Sequence, residues 1–95
     1  MTLEKLRQEI DSLDESLVRL LNERAKVCQK IGTLKRELNV PILHSAREAE
    51  VIARVTVKNT GPLTDETVEA IYKLIITSCR TLQEKEIEHA NRNER

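Results

Sequence analysis

The chain has 95 residues, of which 39% are apolar and a single one, Tyr72, is aromatic. Its 16 basic and 16 acidic side chains cancel. That leaves no net field to hold a nucleic acid backbone and no basic helix for a membrane surface. No stretch is apolar enough for a signal peptide or a membrane span, so the cytoplasm is the expected compartment.

A chain of this length makes one domain, residues 1–95, whose core must be built from Leu, Ile and Val. Such a core is marginal alone, which points to oligomerisation. Cys28 and Cys79 stand 51 positions apart and form no CxxC, and His44 and His89 are equally isolated. No metal-ligand spacing results, and the two cysteines are expected to be reduced thiols.

The first helix is predicted from about Thr2 to Leu38, ended by Asn39 and Pro41. Aliphatic residues recur at Leu3, Leu6, Ile10, Leu13, Leu17 and Leu20, then at Val27, Ile31, Leu34 and Leu38. The steps alternate three and four, and the slot missing from the series, 24, holds an arginine. A helix of about 36 residues is a rod of roughly 54 Å. A compact globule of this length would be only about 30 Å across. Much of the seam therefore needs a partner, and a second copy packing its long helix along the first is the economical one.

"PILHSARE" follows the first helix, and Ser45-Ala46-Arg47-Glu48 reads as a capping box opening a second, short helix. That helix carries Ala49, Val51, Ile52 and Val55 and stops before "NTGP", residues 59–62. Thr64 or Asp65 caps a third helix with apolar positions Val68, Ile71, Tyr72, Ile75, Ile76, Cys79 and Leu82. The polar tail, roughly the last ten residues, is expected to fray. No strand pattern occurs, so the fold class is all-α: three helices per chain, long, short and long.

The cations on the first helix carry the functional signal. Arg24 and Lys35 are eleven residues apart, pointing within roughly 20° of each other and about 16 Å apart along the axis. Two long side chains at that spacing meet a small ligand between them. Gly32 lies in the interval, at a cost of about 1 kcal/mol relative to alanine. A close backbone approach at a site or a helix crossing would each account for it. Arg7 is about 25 Å from Arg24 and rotated by some 100°. It reaches the same ligand only from another subunit, as an antiparallel pairing of long helices would allow.

Taken singly, each of these residues has a plainer reading. A polar residue in one seam slot sets register or oligomer state, Lys35 snorkels, Arg47 and Glu48 open a helix, and Cys79 and Gln83 are a core thiol and an interface amide.

Together they resemble one family. The segments "LRQEID", "NERAKVCQKIG", "REAEV" and "IYKLIITSCRTLQ" are similar to the all-helical chorismate mutases over residues 3 to 84. Those domains occur free-standing or fused to prephenate dehydratase or to the first shikimate-pathway enzyme. The resemblance implies an isomerase that rearranges chorismate to prephenate in phenylalanine and tyrosine biosynthesis. It also implies an intertwined homodimer in which each site borrows Arg7 from its neighbour. The reaction is pericyclic and implies no cofactor, metal or nucleophile.

Carried over, Arg24 and the borrowed Arg7 clamp the substrate carboxylates. Lys35 and Gln83 donate to the ether oxygen, Glu48 accepts from the ring hydroxyl, and Arg47 supports that corner. Ile31, Val51 and Ile76 wall the pocket. Two positions depart from the family pattern. His44 stands where many members have aspartate, and Cys79 where a serine often bonds a carboxylate. A thiol is the weaker donor, so Cys79→Ser is expected to lower KM, and nearby cations are expected to make Cys79 alkylatable. The rival reading is a non-catalytic helical dimerisation or regulatory module with a decayed pocket.

Overall fold

The computed structural model describes residues 1–93. It contains three helices and, among the described residues, no strand: α1 (Leu3–Leu38), α2 (Ser45–Lys58) and α3 (Asp65–Asn93). The Thr2 side chain caps α1 by accepting from the Lys5 amide at 3.1 Å. Asn39 ends it in the left-handed region, at φ 57°, which asparagine tolerates better than most residues. Of the two candidate caps for α3, Thr64 serves, its hydroxyl accepting the Thr67 amide at 3.2 Å. Asp65 is the first helical residue, and its carboxylate accepts from Asn59 at 2.8 Å. The expected frayed tail lies partly outside the described residues; α3 itself continues to Asn93.

One local reading is corrected. Ser45 and Glu48 form no capping box. Ser45 is already helical, His44 occupies the cap position without a side-chain hydrogen bond, and the Glu48 amide bonds the His44 carbonyl. The Glu48 carboxylate is drawn instead to a cation on α3, described below.

The chain is a slab of 60 × 27 × 14 Å with a radius of gyration of 17.1 Å, against about 12 Å for a compact domain of this length. α3 packs against both α1 and α2. The crossing of α1 and α3 is tight. A β-carbon built on Gly32 would stand 2.9 Å from the Gln83 α-carbon. Close helix approach therefore explains this glycine.

A second pair lies one turn back on each helix, where Cys28 and Cys79 face each other with α-carbons 5.5 Å apart. The two pairings advance in the same direction, so α1 and α3 run parallel where they cross. Cys28, Gly32, Ile76 and Gln83 are buried there. The seam residues from Leu3 to Leu20, by contrast, are 39% to 63% exposed within one chain.

Candidate active site

α1, α2, α3 and the α1–α2 connection enclose a cavity of about 440 Å³ beside the crossing, within the range of small-molecule sites. Seven residues singled out from the sequence line it: Arg24, Lys35, His44, Arg47, Glu48, Cys79 and Gln83. Ile31, Val51 and Ile76 form apolar wall. Arg7 is exposed and is not part of the cavity of its own chain.

The polar groups are interlocked. Lys35 Nζ donates to the Ile42 carbonyl at 2.7 Å and to Gln83 Oε1 at 3.3 Å. The second bond fixes the orientation of the Gln83 amide, since only its oxygen accepts from an ammonium group. Gln83 Nε2 then donates to Cys79 Sγ at 3.4 Å, and Arg24 Nη1 to Cys28 Sγ at 3.6 Å. These sulfur acceptors are weak. Neither Arg24 nor Lys35, both half-buried, has a carboxylate partner among the described residues. Arg47 pairs with Glu50 at 2.9 Å on the exposed rim. Glu48 accepts from Arg80 at 3.1 and 3.3 Å. Among the described residues, four cations (Arg24, Lys35, Arg47 and Arg80) thus face the cavity with one carboxylate, Glu48. A small anion with more than one negative group suits that balance.

The thiol reading of Cys28 and Cys79 is overturned. The two are joined in a disulfide, and no free cysteine occurs among the described residues. The cause is the close crossing, because an α-carbon separation of 5.5 Å lies inside the bridging range. Cys79 therefore has neither a thiol proton to donate nor a thiolate to alkylate, and the expectations built on it fall. No group of three or more potential ligands that could hold a metal occurs among the described residues; the His89 side chain lies outside them.

A family model described as chorismate mutase type II matches residues 6–84. The chain belongs to that family. It is 40% identical over 87 residues to the bifunctional chorismate mutase/prephenate dehydratase of Aquifex aeolicus, covering 87% of this chain but 24% of that protein. The chain thus spans about a quarter of the length of the curated bifunctional relatives it matches. Among solved structures, chorismate mutase from Thermus thermophilus (form II) superposes with a TM-score of 0.84 at 38% identity, covering 86% of this chain and 93% of that one. Chorismate mutase from Helicobacter pylori, solved in complex with prephenate, gives 0.82 at 34% identity, covering 90% and 93%.

Within this chorismate mutase type II frame, two participants escape the sequence reading. The Ile42 carbonyl gives no side-chain signal at all. Arg80 does give one, standing three residues before Gln83 on α3 and so near it on the helix surface.

Proposed function

We propose that the chain is a chorismate mutase, an isomerase that rearranges chorismate to prephenate, working as a homodimer in the cytoplasm. The observation that carries the reading is the pair of half-buried cations, Arg24 and Lys35, facing one cavity with no protein carboxylate to neutralise either among the described residues. Chorismate carries two carboxylates, and the rearrangement breaks its ether C–O bond as a C–C bond forms within the same molecule. Such a reaction gains from a surface that holds the folded chair and stabilises charge gathering on the ether oxygen.

Arg24 grips one carboxylate with the planar fork that lysine lacks. Lys35 and Gln83, already bonded to each other, present donors to the ether oxygen. Glu48 accepts from the ring hydroxyl, and Arg47 adds positive charge at the rim. His44 lines the cavity at the start of α2. Walls from Ile31, Val51 and Ile76 exclude water, which strengthens each charged contact.

The second carboxylate needs another cation, and the partner subunit's Arg7 supplies it. The exposed seam of α1 supports this, because a second α1 laid along Leu3–Leu20 buries that apolar ladder and carries its own Arg7 toward the cavity. No helix among the described residues is long and apolar enough to cross a membrane.

Following the loss of chorismate absorbance tests the reading. The purified protein consumes chorismate, and Arg24→Ala lowers kcat/KM roughly 10²–10³-fold. An inactive wild type would instead favour a non-catalytic dimerisation or regulatory module.

A further inference from the structure

We infer that Arg80 is a positioning residue for this reaction, holding the Glu48 carboxylate in place from across the cavity; the inference rests on the proposed function. Among the described residues, Glu48 is the one carboxylate facing the cavity. Left to itself it would repel a dianion and swing freely on its side-chain torsions. Arg80 Nη1 donates to both of its oxygens, at 3.1 and 3.3 Å, from a different helix. The pairs Arg19–Glu23, Arg47–Glu50, Arg54–Glu50 and Lys73–Glu69 each lie within one helix at i, i+3 or i, i+4 spacing. Arg80–Glu48 instead joins two helices, and its side chains are about one-third exposed, less than those of the four local pairs.

A pair this open to solvent contributes little to stability. Its consequence is orientation and charge. The carboxylate is fixed toward α3 at the cavity edge, and its negative charge is offset before a dianion enters. With Nη1 committed to Glu48, we assign the effect of Arg80 to that carboxylate, and the double-variant cycle below separates this from a direct contact through its remaining N–H donors.

Steady-state kinetics on chorismate test this with wild type, Arg80→Ala, Arg80→Lys, Glu48→Gln and the double variant Glu48→Gln/Arg80→Ala. Arg80→Ala is expected to lower kcat/KM about tenfold, chiefly through a raised KM, and Arg80→Lys to recover most of it. In the Glu48→Gln background, removing Arg80 changes kcat/KM by less than about twofold, since the group it positions has lost its charge. An equal loss in both backgrounds overturns the inference by assigning Arg80 a direct contact with substrate. So does an Arg80→Ala enzyme with wild-type kinetics, or one that loses kcat alone with KM unchanged, the mark of a smaller folded fraction. If Arg80→Ala does not fold, Arg80→Gln takes its place in the cycle, and unfolding of both overturns the inference in favour of a structural role. A wild type without activity refutes the mutase reading itself, a result distinct from an active wild type indifferent to Arg80.

Discussion

Gly32 is the position where packing and catalysis are most directly coupled, and alanine there is the sharpest perturbation. Its β-carbon would lie 2.9 Å from the Gln83 α-carbon and 3.2 Å from both Cβ and Cγ of Gln83. The nearest atom is backbone, so α3 must retreat by about 0.5 Å to restore ordinary contact. The disulfide one turn away resists that retreat by tethering the same two helices. Alanine in a helix interior gains about 1 kcal/mol over glycine, whereas overpacking a close contact costs about 1–3 kcal/mol. The balance is a loss of about 1 kcal/mol, read as a fall of roughly 4–8 °C in melting temperature at fixed protein concentration. Activity suffers more than stability, because Gln83 moves relative to Lys35. A displacement of about 0.5 Å corresponds to roughly tenfold in kcat/KM. The assay is chorismate consumption at several substrate concentrations, paired with thermal melting. A Gly32→Ala enzyme that melts higher than wild type and keeps its kcat/KM would refute the reasoning, since the crossing would then be neither tight nor coupled to the amide.

Subunit sharing is testable by mixing two dead proteins. Co-refolded Arg7→Ala and Arg24→Ala chains form heterodimers in which one site has both arginines intact, so activity returns to about a quarter of the wild-type level at equal mixing. Absence of any recovery would place Arg7 outside the site. The disulfide closes a loop of 51 residues, for which chain entropy sets a contribution of about 4 kcal/mol. Dithiothreitol, or Cys28→Ser/Cys79→Ser, should therefore lower the melting temperature markedly, and a melt indifferent to reductant would show that the bond contributes nothing in solution.

The helices were legible because their signals are local. The three-four spacing of α1, the stop at Asn39 and the turn at residues 59–62 depend on nothing outside their own segments. Arg24 and Lys35 were legible for the same reason, since both lie on one rod whose periodicity fixes their relative direction. What depended on how rods meet was not. The Cys28–Cys79 bond requires knowing that α1 and α3 cross at Gly32, and a separation of 51 residues carries no trace of that. Glu48 fitted a capping box on spacing alone, yet a guanidinium from α3 captured its carboxylate. A charged partner in three dimensions outweighs a marginal local hydrogen bond at an exposed helix start.

The covalent bridge has a topological result. Both connections, residues 39–44 and 59–64, lie between Cys28 and Cys79. A protease nicking either one leaves two fragments still tied together, so the cut chain migrates as a single species on a gel until thiol is added. Only cleavage at both sites frees a piece, and that piece is α2 with its Glu48.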